Sequence, residues 1–202
     1  MACASTLRRP LLTIPVVVLA AGLLGSGMSS AQASSSELPS PRVLSGGNHW
    51  AENADIAIRA DGSSIAAWEE SGTADSPRAI KVAAQDEFGR WGDARTLSTG
   101  TTSARLPKIV TNGTEVSVAW QQGLTGSERI MLAEFEGEWK SPRALSTKHC
   151  ADVELAMDSA GTTSLSWIRH GVARASAVEF AQEKPAGAFH TQTLTNGSES
   201  AK

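Results

Sequence analysis

Apolar and polar residues alternate in short runs along most of the chain, and turn residues separate the runs. In ADIAIRADGSSIAAW, residues 54–68, an alternating stretch reaches a turn at Ala60 to Gly62, and a second apolar stretch follows it. A period of two places successive side chains on opposite faces of a strand, whereas a helix repeats its apolar face every three to four residues. This pattern predicts short antiparallel strands joined by hairpins.

The same run returns twice, as KIVTNGTEVSVAW and VELAMDSAGTTSLSW, at intervals of about 50 residues. Other landmarks keep the same interval. Trp68, Trp120 and Trp167 end the three runs; Arg78, Arg129 and Arg174 follow them; Trp91, Trp139 and Phe189 come next; Leu97, Leu145 and Leu194 lie in the phrases DARTLS, SPRALS and TQTLT. A further copy of this phrase, SPRVLS with Leu44, stands alone in front of the first run.

Three units of about 50 residues, each with four predicted strands, are typical of β-propeller blades. We predict an all-β fold of three four-stranded antiparallel blades, with the Trp at each run end and the Leu of each phrase in the structural core. The predicted domain spans residues 41–197, with blades at about 46–98, 99–147 and 148–195, a linker at 34–40 and a tail at 198–202.

Three blades leave the ring incomplete, because propellers typically have four to eight. One hypothesis is a head-to-tail homodimer with six blades, and another is a shortened descendant of a longer protein. The unpaired phrase at Leu44 fits neither hypothesis neatly.

The first residues have the pattern of an export signal. Arg8 and Arg9 precede an apolar run, and Ala31-Gln32-Ala33 offers a cleavage site. We therefore predict a secretory signal at residues 1–33, a secreted mature chain, and no membrane span after cleavage. The apolar run of about 15 residues is short for a membrane anchor, which needs roughly 20. The Sec and twin-arginine routes both remain open.

Charge and cysteine content narrow the partners. Without the signal the chain has a net charge of about −5, which argues against nucleic acid as a partner. Cys150 is then the one remaining cysteine, so it is either a small buried apolar residue or a site of intermolecular bridging.

The repeated order of small residues, Trp, Arg, a second Trp and a Leu-Ser phrase resembles the propeller-type repeats of secreted actinobacterial proteins, and it is distantly similar to sialidase-like propellers. That resemblance implies a propeller fold. Sialidases use a Tyr nucleophile, and the chain has no Tyr and no sialidase-type Asp box. The four His residues lack metal-ligand spacing, so we expect no catalysis, no metal site and no cofactor.

Carbohydrate or cell-surface binding is the leading functional hypothesis, because aromatic faces stack on sugars while Arg and carboxylates hold their hydroxyl groups. Each repeat supplies one candidate set: Trp91, Arg78 and Glu87; Trp139, Arg129 and Glu136; Phe189, Arg174 and Glu183. The order of these residues is also similar to that in fucose-binding lectin propellers, a resemblance that implies a sugar held by Arg, an acid and Trp.

Other interpretations remain. The Trp residues also suit packing between blades, and the Arg residues could bridge neighbouring strands. The alternative functions are a protein-interaction scaffold, a propeller remnant without a dedicated ligand, and an inactive glycosidase-like propeller.

Overall fold

A computed structural model describes residues 41–171, 175–184 and 187–195, and the backbone in this part of the chain forms strands and turns without a helix. The predicted signal, the linker, Arg174 and the tail lie outside the described residues. Twelve strands of the described part pair into three four-stranded antiparallel sheets, here called blades 1, 2 and 3. The prediction of an all-β fold with three four-stranded blades is therefore confirmed.

Each blade is built from four consecutive strands that pair in chain order. Blade 1 contains β1 (Trp50–Ile58), β2 (Ser64–Ser71), β3 (Ala79–Gln85) and β4 (Arg95–Thr96). Blade 2 contains β5 (Ala104–Thr111), β6 (Val116–Gln122), β7 (Arg129–Phe135) and β8 (Arg143–Ala144). Blade 3 contains β9 (Cys150–Met157), β10 (Thr163–His170), β11 (Ser176–Lys184) and β12 (Ala188–Thr193).

The blades pack face to face through apolar side chains. Strand β5 contacts β1, β2 and β3 of blade 1, and β9 contacts β5, β6 and β7 of blade 2. Because side chains alternate along a strand, β6 serves both junctions: Trp120 lies in the core with blade 1, and Ala119 lies in the core with blade 3. Blade 2 is thus held on both faces.

The three repeated Trp residues are buried, and each indole N–H finds an acceptor. Trp68, Trp120 and Trp167 are 4%, 0% and 1% exposed. The first two donate to the side chain two residues further on, Glu70 at 3.0 Å and Gln122 at 2.9 Å. In blade 3 that position holds Arg169, which has no acceptor, and Trp167 donates instead to Glu179 at 2.8 Å.

The Leu-Ser phrase makes one repeated set of hydrogen bonds that ties the edge of each blade together. The N–H of Leu97 donates to the carbonyl of Ile80 at 2.8 Å, and the N–H of Ile80 donates to Oγ of Ser98 at 2.9 Å. The equivalent residues in the other blades are Leu145, Ser146 and Ile130, and Leu194, Thr195 and Val178. The recurrence in the sequence therefore corresponds to one recurring joint.

Positive φ angles recur at two positions of each blade, one at a β-bulge and one in a hairpin turn. Asn53, Leu106 and Asp152 have φ of 51°, 53° and 53°, and each lies at the β-bulge where the first strand shifts register against the second. The hairpin glycines Gly62, Gly113 and Gly161 have φ of 83°, 104° and 86°. Glycine adopts this conformation freely, whereas Leu106 does so at a steric cost.

The described residues of the phrase SPRVLS form no fourth strand, although its later copies contribute residues to β4, β8 and β12. Residues 41–49 form no strand; they are here called the arm, and they lie against the face of blade 1 that points away from blade 2. Leu44 packs against Ala66, Trp68 and Ala83, and Nδ1 of His49 lies 2.9 Å from the Glu70 carboxylate. The arm lacks strand geometry because the third strand with which such a phrase pairs is missing beside it.

Leu194 also differs from its predicted place in the core. It makes the hydrogen bond of the repeated joint, but 57% of the residue is exposed, whereas Leu97 is 4% exposed. The reason is that Leu97 is covered by the following blade, and the described residues contain no blade after blade 3.

Candidate functional site

The structure separates Arg78 from Trp91. Arg78 directly precedes β3, while Trp91 pairs with Gln85 at the opposite end of that strand. Seven residues of extended strand span roughly 20 Å, too far for both side chains to hold one sugar ring. Trp139 in the same way pairs with Phe135 at one end of β7, and Arg129 begins the other end. The two predicted Trp–Arg groupings are therefore not found, and Arg174 lies outside the described residues.

Arg78 instead bridges the first two strands of blade 1. Its NH1 atom lies 2.5 Å from the carboxylate of Glu52 and 3.4 Å from that of Glu69. Glu69 is 1% exposed, also accepts a hydrogen bond from Asn53, and has one carboxylate oxygen without a partner among the described residues. Burial raises the pKa of Glu69, and the nearby Arg78 only partly opposes this effect. This cluster corresponds to the strand-bridging interpretation of the repeated Arg.

Trp139 lies at the junction of blades 1 and 2. Its ring packs against Phe135 with centroids 5.4 Å apart, and the guanidinium of Arg59 lies 5.0 Å from the Phe135 centroid. The other predicted acid of this set, Glu136, pairs with Lys140 at 2.5 Å. Trp139 is half-buried against the core of blades 1 and 2, and the acid and the Arg predicted to act with it are not grouped around its ring.

Phe189 lies at the junction of blades 2 and 3, where Arg143 stacks over its ring at 4.7 Å. Arg143 also lies 2.7 Å from the Glu134 carboxylate and 4.0 Å from that of Glu183. Burial and the neighbouring Glu134 raise the pKa of Glu183. These carboxylates line a cavity of about 290 Å³, but Glu134 is already paired with Arg143.

Trp91 and Glu87 do meet, at one end of blade 1. They line an open cavity of about 460 Å³, here called the Trp91 cavity. Its other lining residues are Arg59, Asp61, Ser63, Ala84, Gln85, Asp86, Arg90 and Gly92. Trp91 is half-buried against the core below it, while the exposed Glu87 carboxylate has no hydrogen bond within the described chain.

The polar groups of the Trp91 cavity differ in their availability. Asp86 is committed, because it accepts hydrogen bonds from the backbone N–H of Phe88 and from the backbone and Nε of Arg90, which lower its pKa. Nε of Arg59 is buried without a partner in the described chain. Trp91, Arg59 and the free Glu87 carboxylate thus line one open cavity, although the Arg59 guanidinium also packs over Phe135. An aromatic ring beside charged groups suits a ligand with both C–H faces and hydroxyl groups.

Arg59 and Arg90 are the site residues that the repeat pattern did not indicate. Neither recurs at the repeat interval, and the pattern drew attention to Arg78 because it did recur. Arg90 directly precedes Trp91 in FGRWG, so adjacency to the aromatic residue was the available signal. Arg59 reaches the cavity from the end of β1, about 30 residues away in sequence, and only the fold brings it there.

The described residues contain no group of three or more His, Cys, Asp or Glu side chains placed to hold a metal ion. Within the same residues, no helix has the length and apolar character needed to cross a membrane. Cys150 is fully buried, and burial raises the pKa of its thiol, as expected of a small apolar core residue.

Comparison with known proteins bears on the fold of the chain and not on its activity. No protein-family model matches the chain, and no curated protein matches it. Among solved structures, the fold is similar to the crystal structure of the polysaccharide lyase Uly1, with a TM-score of 0.53 and 11% identity. The match covers 71% of this chain and 41% of the lyase, so the chain spans less than half of that protein's length. At this identity the likeness shows an all-β fold.

Proposed function

We propose that the chain is an exported, non-enzymatic β-propeller-repeat protein that binds carbohydrate, with the Trp91 cavity as its binding site. The proposal includes export by residues 1–33 and kinship with the propeller-type repeats of secreted actinobacterial proteins. The observation that carries it is the meeting of the Trp91 indole, the Arg59 guanidinium and the uncommitted Glu87 carboxylate in one open cavity.

Each group has a separate role in the proposed complex. The Trp91 ring stacks on the apolar face of a pyranose, Glu87 accepts hydrogen bonds from its hydroxyl groups, and Arg59 donates to ring or hydroxyl oxygens. The protein with the similar fold is a polysaccharide lyase, and a carbohydrate ligand agrees with that name. The lack of any Tyr removes the nucleophile of sialidases, which supports binding without hydrolysis.

The first test is glycan-array screening of residues 34–202, followed by calorimetric titration of any oligosaccharide retained. Trp91→Ala should weaken binding at least tenfold, about 1.4 kcal/mol, because the stacking surface is lost. Glu87→Gln should weaken it less, because an amide oxygen still accepts a hydrogen bond. Glu87 is exposed, so this second variant tests the site without disturbing the core.

Phe88→Ala is the matched control. Phe88 is 74% exposed, adjoins Glu87 in sequence and does not line the Trp91 cavity. Arg90 lies over its ring, but the bonds from Arg90 to Asp86 hold Arg90 in place when the ring is removed. The Phe88→Ala variant should bind the retained glycan with the same affinity as the wild type. If no glycan is retained, or if Trp91→Ala and Glu87→Gln bind as tightly as Phe88→Ala, carbohydrate binding at this cavity is excluded.

A further inference from the structure

The two junctions between blades are built to one plan. On the earlier blade, the residue of the third strand that bonds the Leu-Ser phrase faces the next blade, as Ile80 and Ile130 do, and both are fully buried. On the later blade, the repeated Trp receives this surface. Leu97 lies in one core with Trp120, and Leu145 packs against the core that contains Trp167.

The outer face of blade 3 resembles the face that blades 1 and 2 each present to the following blade, but no blade covers it in the described chain. Val178 occupies the position of Ile80 and Ile130, since it makes the same hydrogen bonds to its phrase. Phe180 lies two residues further on the same face. Both are only half-buried and Leu194 is 57% exposed, because no further blade covers them in the described chain.

Blade 1 has the matching face, the one on which blades 2 and 3 each receive the preceding blade. Its outward face contains Trp68, with Trp91 packed against the same small core, together with Ile56 and Ile58, which are 56% and 67% exposed, so the proposed sugar-binding Trp91 borders this face. The arm covers part of this face and leaves beside itself a groove of about 410 Å³, lined mainly by apolar atoms of residues that include Val43, Leu44 and Trp68. In blades 2 and 3 the equivalent space is filled by the preceding blade.

The arm already holds one piece of the missing junction. Leu44 contacts Trp68 as Leu97 shares a core with Trp120, but the N–H of Leu44 and Oγ of Ser45 have no hydrogen-bond partner among the described residues. In the other three copies the phrase is bonded to Ile80, Ile130 or Val178. Leu44 of the arm thus packs on Trp68, but the arm has no third strand with which it can form hydrogen bonds.

We propose that the occupant of this face is blade 3 of a second copy, and that Leu44 and Ser45 of the first copy replace Leu194 and Thr195 at Val178 of the second. Each of the two junctions within the chain holds one phrase Leu, Leu97 or Leu145, and at Trp68 that place is already taken by Leu44. The exchange gives the Leu44 phrase the third strand that it lacks within its own chain, and it releases the Leu194 phrase from Val178. Two such junctions related by a two-fold axis close a ring of six blades, within the usual range for propellers.

The first experiment measures the mass of residues 34–202 in solution by light scattering, from about 1 to 100 μM. We expect the mass of a dimer at the upper end of this range. Phe180→Asp should return the chain to a monomer, because it places a charge in the buried junction. Phe88→Asp, at an exposed Phe outside the junction, should leave the dimer intact. A monomeric wild-type chain at every concentration overturns the proposal.

A disulfide experiment tests the exchange itself and does not depend on the Asp variant folding. One preparation carries Ser45→Cys and the other carries Val178→Cys; the natural Cys150 is fully buried. Under mild oxidation, only the mixture should yield a covalent dimer, because residue 45 of one chain meets residue 178 of the other. A dimer by light scattering without this disulfide overturns the placement of the arm.

Discussion

At the scale of single residues, the repeat shows which backbone positions are equivalent, and it thereby exposes a residue poorly suited to its conformation. The same bulge is occupied by Asn53, Leu106 and Asp152, all with φ near 50°. Asn and Asp tolerate this left-handed region because their short side chains bond locally, whereas Leu pays roughly 1–2 kcal/mol for it. Blade 2 therefore stores strain that blades 1 and 3 avoid.

Leu106→Asn should raise the free energy of unfolding by about 0.5–1 kcal/mol, because relief of the strained φ outweighs the loss of a side chain that is already 39% exposed. Urea titration followed by circular dichroism measures the change. Leu124→Asn is the control, since Leu124 is 71% exposed and is absent from the positive-φ residues of the described chain. Equal effects at the two positions would mean that the φ angle of Leu106 carries no strain.

Residue-level reasoning from sequence reached only half of the Trp91 cavity. The equivalence of Trp91, Trp139 and Phe189 was readable, because the repeat interval fixes it, and each of them pairs with the end of a third strand. The grouping with Arg78 failed because repeat spacing says nothing about which end of a strand a residue occupies. Arg59 was beyond reach, since it depends on the twist and packing of the folded sheet.

At the scale of the strands, the blades were predictable because alternation and turn glycines act locally and repeat three times. The structure of the arm was not predictable, although its first five residues, PRVLS, are nearly identical to PRALS at residues 142–146. A short strand exists only where a neighbouring strand supplies hydrogen bonds, and the arm has the phrase without that neighbour. Nearly identical sequences at residues 41–45 and 142–146 therefore give a packed arm without a strand in one case and the short strand β8 in the other.

The joint made by the phrase can be tested by removing its hydroxyl group. Ser98→Ala and Ser146→Ala should each lower the free energy of unfolding by about 1–2 kcal/mol, because the N–H of Ile80 or Ile130 loses its acceptor in a largely dry position. Chemical denaturation at submicromolar protein, below the range in which we expect the dimer, provides the measurement.

Ser45→Ala is the matched control for this pair, since Ser45 stands at the same place in SPRVLS but bonds to no group of the described chain. It should change stability by less than about 0.5 kcal/mol. A loss at Ser45 as large as that at Ser98 would show that the hydroxyl group acts through the unfolded chain or through solvent, and that the joint contributes little.

At the scale of the whole molecule, apolar junctions hold the blades together. The Glu69 carboxylate, which lies near Arg78, places an ionisable group in the junction of blades 1 and 2. Glu69 faces blade 2 from β2, the strand whose Ile65 and Ala67 form part of the shared core. The charged groups that act on it are Arg78, Glu52 and Arg105. Because burial dominates among them and the pKa of Glu69 is raised, the folded chain holds this proton more tightly than the unfolded chain.

The sign of the resulting pH dependence follows from that difference. Where the folded state binds more protons, the free energy of unfolding falls as pH rises from the ordinary value of 4.5 through the higher pKa of folded Glu69, by at most about 1.4 kcal/mol per pH unit. Glu69→Gln removes this titration, so the stability of the variant relative to the wild type should increase as pH rises over this window. Glu138→Gln, which removes an exposed carboxylate, should give a curve parallel to that of the wild type. Urea titrations from pH 4 to pH 8 measure all three proteins, and parallel curves for Glu69→Gln and the wild type would show that Arg78 neutralises the buried charge completely.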